Sequence, residues 1–129
     1  MKVTLHLRNA ITMTPLALST DRCVMTVTKV NEFIGDARGS GASAYISTEM
    51  PDGSQRFEGH IFFTGTLLDK TGGFVIASHR GRMADTVTAQ WEIVPGSGTG
   101  ELAGISGAGP YLAHPPFDQG RCEMDIVFE

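Results

Sequence analysis

Trp91-Glu92-Ile93-Val94-Pro95-Gly96-Ser97-Gly98-Thr99-Gly100-Glu101-Leu102-Ala103-Gly104-Ile105-Ser106-Gly107-Ala108-Gly109 carries six of the sixteen glycines of this 129-residue chain. An alternating run (Val87, Ala89, Trp91, Ile93 against Thr88, Gln90, Glu92) leads straight into it. Alternation of period two marks a strand with one buried face. The glycines that follow permit a tight turn and a return strand that bends or approaches its neighbour closely. A phosphate-binding loop would need a helix to start right after the glycines. Glu101-Leu102-Ala103-Gly104-Ile105-Ser106-Gly107-Ala108-Gly109-Pro110 cannot sustain one. The block is structural, and it makes the chain all-β.

Working outward, β-branched and aromatic runs bounded by Gly, Pro, Asp and Asn predict strands near 2–8, 22–31, 36–49, 54–67, 73–82, 86–94, 99–112 and 121–128. Turns are predicted at Pro51-Asp52-Gly53-Ser54, at Asp69-Lys70-Thr71-Gly72-Gly73 and at Met83-Ala84-Asp85. No linker or internal repeat divides residues 1–129, so one domain is expected. Successive antiparallel strands with short turns predict a closed eight-stranded barrel, which removes exposed sheet edges. A β-sandwich satisfies the same periodicity. Residues 10–21 (Ala-Ile-Thr-Met-Thr-Pro-Leu-Ala-Leu-Ser-Thr-Asp) are apolar and irregular, and read as a lid or cap over a barrel mouth, or as an oligomer contact.

Parity assigns the faces. Phe57, Gly59, Ile61 and Phe63 point inward, and Arg56, Glu58, His60, Phe62 and Thr64 outward. Val87, Ala89, Trp91 and Ile93 are inward, as are Cys122, Met124, Ile126 and Phe128. Phe62 and Phe74 are expected on the outer surface, where they favour a homo-oligomer.

Composition narrows the function. Hydrophobic residues at 41% and charged residues at 19% describe a globular chain. A net charge of −4 without a basic stripe argues against nucleic acid. Apolar runs are far shorter than the roughly 20 residues of a membrane span, so no membrane partner is expected. The alternating N-terminus (Val3, Leu5, Leu7) is a strand and not a signal peptide, which points to the cytoplasm. There Cys23 and Cys122 read as small buried residues and not as a bridge. His-x-His, Cys-x-x-Cys and His-Glu-x-x-His are absent, so neither metal nor cofactor is expected. Ser97 and Ser106 lack a strand–helix elbow, which excludes serine hydrolysis.

Gly-Asp-Ala-Arg-Gly-Ser-Gly-Ala-Ser-Ala-Tyr (35–45), Gly72-Gly73-Phe74-Val75-Ile76 and the Trp91–Gly109 block together resemble the DUF3224 family of small bacterial proteins. That family resembles in turn the allene oxide cyclase barrel. The resemblance, from about residue 22 to the C-terminus, implies a calycin-like barrel with a central cavity and no cofactor. Cyclase barrels of this kind hold an unstable lipid epoxide in an apolar cavity and steer its ring closure, mainly with a carboxylate and a water. The chain departs from the family pattern where Ile61 replaces a glutamate and Glu49 a tyrosine. A Gln-His pair aligns with Ala77-Ser78, with histidine arriving one residue late as His79. Such a shift flips the side chain to the other face unless a bulge absorbs it.

Tyr45 and Glu49 share one parity with Ser43 and Ser47, and would set a hydroxyl and a carboxylate along one wall. A carboxylate in an apolar barrel has a raised pKa suited to proton transfer. Glu49 beside Pro51-Asp52 can equally be an exposed residue of the hairpin mouth. His79, near Arg80 and Arg82, is a candidate acid or base, or simply a solvated strand-end histidine. Tyr45, Glu49 and His79 are thus the candidate catalytic residues. Met25, Phe57, Ile61, Phe63 and Trp91 are the candidate ligand-binding lining, and core filling by default. Glu58 and His60 read as a surface pair. The reading that joins these features is a cofactor-free cyclase or isomerase acting on a small hydrophobic reactive metabolite. Its alternative is a non-catalytic carrier for a similar ligand, and a barrel packed solid would do neither.

Overall fold

The computed structural model describes residues 1–16 and 23–129. Its strands are β1 (Lys2–Leu16), β2 (Val24–Gly35), β3 (Ala37–Glu49), β4 (Gln55–Leu67), β5 (Lys70–Met83), β6 (Val87–Ile93), β7 (Thr99–Gly100), β8 (Ile105–Ala113) and β9 (Gln119–Phe128). All pairings are antiparallel, and they run β1-β2-β3-β4-β5-β6-β8-β9 and back to β1, closing an eight-stranded barrel. The two-residue β7 adds itself to the end of β5 through Gly72↔Gly100 and Gly73↔Thr99. Eight strands give an interior just wide enough for side chains or one small ligand.

The alternation seen in the sequence sets the radial direction of each side chain. Val87, Ala89, Trp91 and Ile93 are buried while Thr88, Gln90 and Glu92 are exposed. On β4, Ile61 and Phe63 are fully buried and Phe57 half-buried. Cys122, Met124 and Ile126 complete the pattern on β9. Around Phe63 one half of the barrel is packed solid. Its ring lies 4.7 Å from Phe33 and 5.0 Å from Phe74, within a cluster that includes Leu5, Ile76, Ile93 and Met124.

Several expectations are corrected. Phe74 is 1% exposed and faces inward opposite Phe63, because β5 begins at Lys70 and the turn is Leu68-Asp69; Phe62 is exposed as expected. The predicted strand 99–112 is interrupted by turn residues 101–104. Residues 10–16 of the segment read as a lid continue β1 and pair with 24–30 of β2; residues 17–21 lie outside the described residues. Cys23 is exposed, Cys122 is buried, and both are free thiols. The β3–β4 hairpin matches expectation: Gly53 takes φ +85°, and Asp52 Oδ1 accepts from the Ser54 amide at 2.9 Å. No helix among the described residues is long and apolar enough to cross a membrane.

β5 breaks register in one place on both sides. The ladder shifts between Phe57 and Gly59 against β4, and between His79 and Arg82 against β6. Arg80 there adopts φ +54°, a left-handed conformation costly for a residue with a Cβ. This bulge decides which side chains of β5 reach the interior.

Candidate pocket at the open end of the barrel

Opposite the packed half, the barrel opens into a pocket lined by Val27 and Lys29 of β2, Tyr45 and Ser47 of β3, Gln55 and Phe57 of β4, and Met83 of β5. Val87, Tyr111, Ala113 and Phe117 close its other side. Its cavity volume is about 60 Å³, room for a few water molecules or for part of a small organic molecule. The polar exceptions stand in an apolar wall, which is the usual composition of a small-molecule site.

Beneath the pocket a hydrogen-bonded belt crosses the interior. Asn31 Nδ2 donates to Asn9 Oδ1 at 2.6 Å, and Ser43 Oγ donates to Asn31 Oδ1 at 2.6 Å. Tyr111 bonds to Asn9 at one end of this chain, and Tyr45 to Ser43 at the other. The Tyr45 ring lies across Gly59, where a Cβ would meet Ala44 O and sit 2.8 Å from Tyr45 Cδ1. Tyr111 stacks on Trp91 with centroids 4.3 Å apart and planes 11° apart, and its hydroxyl occupies the space over Gly120 that a Cβ would need. The buried Ser78 Oγ and Trp91 Nε1, on directly paired residues, have no hydrogen-bond partner. Ser78 nonetheless lies close enough to the Tyr45 phenol to favour its ionised form slightly.

Burial governs the ionisable groups. It raises Tyr45, with Tyr111 adding to the effect and Ser43 and Ser78 opposing it. It pushes Tyr111 up to about 12, against the hydrogen bond to Asn9, and Cys122 up to about 12. Burial lowers Lys29.

The sequence of this barrel now falls into place beside known proteins. The profile of a family described as proteins of unknown function (DUF3224) matches residues 10–126. The chain belongs to the DUF3224 family. A crystal structure of a DUF3224 protein with unknown function from Shewanella oneidensis is similar to it with a TM-score of 0.78 at 23% identity, covering 100% of this chain and 98% of that one. At that identity the likeness shows the fold. No curated protein matches the chain.

This DUF3224 barrel brings together only part of the predicted site. Tyr45 lines the pocket, as does Phe57. Trp91 sits directly under it through Tyr111. Ile61 and Phe63 lie in the packed half, and Met25 is half-buried on β2 without lining the pocket. Glu49 has Tyr45's parity but ends β3 in solvent. His79 is exposed on the outer face, opposite the outward Gln90, so Ser78 and not His79 is the inward residue of that pair. His79 shares with Glu58, His60 and Ile46 an outer trough of about 610 Å³. That trough is larger than the inner pocket and more open to solvent, and its floor includes Val27, Tyr45 and Ser78. Among the described residues no three of its His, Cys, Asp or Glu side chains are placed to hold a metal.

Sequence reasoning passed over Lys29, Asn9 and Asn31. The signal was present: Val27, Lys29, Asn31 and Phe33 share one parity on β2, and the three besides Lys29 are buried.

The raised phenols predict a pH response. A group whose pKa is raised by folding stabilises the fold below its unfolded value and loses that contribution as pH climbs to its folded one. Stability should therefore fall from about pH 9, where Cys122 ionises in the unfolded chain, through the tyrosine range at 10 and up to about 12. Lys29 opposes this: its lowered pKa makes stability rise with pH up to 10.5. The chain has two tyrosines, so phenolate absorbance reports only Tyr45 and Tyr111. The expected trace is silent at pH 10–11 in the folded protein and rises together with unfolding. A reversible half-titration near 10 in the folded state would contradict the buried belt.

Proposed function

We propose that this barrel handles a small, mostly apolar molecule at its open end, as a binding or carrier protein. The observation that carries this reading is the pocket itself. One half of the interior is filled, and the other keeps an apolar chamber with Lys29, Tyr45, Ser47 and Gln55 as its polar contacts. The resemblance to allene oxide cyclase barrels read from the sequence points to a catalytic version, a cofactor-free cyclase or isomerase that works by shape and water exclusion. That version asks for a proton-transferring pair beside the ligand. Glu49 and His79 stand in solvent, and Tyr45 holds its proton tightly, so the carrier reading fits the geometry better. Exposed Val30, Ile46 and Phe62 on the outer face support association into a homo-oligomer.

The test uses hexan-1-ol as a neutral probe and Ala113→Leu as a variant that fills the cavity. Calorimetry should show binding to the parent and at least a tenfold loss in the variant, with thermal stability kept. Equal binding by both proteins would remove the pocket as the site. A turnover found with any polyene or epoxide, abolished in Tyr45→Phe at unchanged affinity, would restore the enzyme reading.

A further inference from the structure

Lys29 lies between Val27 and Asn31 on the interior-facing parity of β2. Its Nζ stands 5.3 Å from the centroid of the Tyr45 ring, and its side chain is one wall of the pocket. Among the described residues no carboxylate answers it. The other lining residues are neutral. The ion pairs among the described residues, Arg8–Glu32 at 3.5 Å and Arg82–Asp52 at 3.8 Å, are both on the surface. A partly desolvated ammonium without a counter-charge is destabilising, and a tyrosine face offsets only part of that cost.

A second donor faces the same space. Ser47 Oγ donates to Gln55 Oε1 at 2.6 Å, which holds the amide by its oxygen and leaves the NH₂ group to donate. Lys29 and Gln55 thus present an ammonium and an amide N–H to a chamber whose remaining wall includes Phe57, Met83 and Val87. We infer that the ligand brings the missing negative charge: a small monocarboxylate with a short apolar tail, its oxygens on Lys29 Nζ and Gln55 Nε2. One cation and a cavity of about 60 Å³ suit a single carboxylate, not a phosphate dianion. This inference rests on the pocket reading above.

Hexanoate, hexanamide, hexylamine and hexan-1-ol, titrated by calorimetry into the parent, Lys29→Met and Lys29→Gln, separate the two. Hexanoate should bind the parent at least tenfold more tightly than hexanamide, and hexylamine should be rejected. Either variant should lose that tenfold preference and bind hexanoate no more tightly than hexanamide. Lys29→Met should also melt higher than the parent, by roughly 2–4 °C, because it removes an uncompensated charge. A group kept at the expense of stability is what a binding site leaves behind. Equal affinity for hexanoate and hexanamide, with hexan-1-ol still bound, overturns the carboxylate assignment and leaves the pocket standing. Failure of all four probes on the parent overturns both.

Discussion

Phe63→Ala is expected to destabilise the protein by about 3–5 kcal/mol and lower Tm by roughly 10–20 °C. Phe63 is fully buried, edge-on to Phe33 and tilted against Phe74. All three rings come from different strands, so no neighbour on the same strand can swing in to fill the void. The barrel's packed half carries its stability, and Phe63 is at its centre. Thermal and urea unfolding check the size of the loss. Phe57→Ala is the contrasting variant: Phe57 is half-buried beside the open pocket. It should cost less than half as much. Equal costs for the two would mean that the barrel is not divided into a filled and an open half.

Asn31→Leu is the second large effect, at about 2–4 kcal/mol. The asparagine is 2% exposed and joins Asn9 to Ser43 through bonds of 2.6 Å each. Leucine keeps the volume but takes one partner each from buried Ser43 and half-buried Asn9, and the loss of a buried polar contact costs about 1–3 kcal/mol. Ser43→Ala removes only the end of the chain and should cost about half as much. Fluorescence gives a second readout. The single tryptophan, Trp91, stacks on Tyr111, which is anchored through Asn9, so its emission should change in Asn31→Leu. Unaltered stability and emission would show that the belt does not hold the tyrosines.

Much of the architecture was legible in the sequence because parity is a robust code within an unbroken strand. Trp91, Ile61 and Met124 were placed inward by alternation alone, and the structure has each of them buried. The code fails where the ladder does. Phe74, Ile76 and Ser78 face inward by alternation, which leaves His79 outward; the bulge around Arg80 then resets the count, so Arg80 also points out and Gly81 and Met83 turn in. Gly72 and Gly73 read as turn residues, yet they are strand residues lying against β7. Their lack of side chains serves close backbone approach. That misplacement moved Phe74 to the wrong face. Pro15 hid the second half of β1, although a proline is tolerated there because β9 pairs only with Lys2–Arg8 and leaves that half an edge flanked, among the described residues, by β2 alone.

The site was less legible for a different reason. Charged residues on a strand are usually solvated, so Lys29 was passed over, while Glu49 and His79 attracted attention by their chemistry. Tyr45 was found because it shares its face with Ser43 and Ser47, all buried. Lys29 needed the same argument applied to β2. Asn9 and Asn31 carry no motif at all. They become visible only when β1 and β2 stand side by side at Asn9↔Asn31.

The most direct test of the account is an amide-resolved NMR titration of the intact protein with hexan-1-ol, read for the location of the shifts. The inner pocket predicts saturable shifts at Lys29, Phe57, Met83 and Val87, together with the single indole resonance of Trp91 beneath Tyr111. Shifts running instead along Ile46, Glu58, His60 and His79 would place binding in the outer trough and contradict the claim that the barrel works from within.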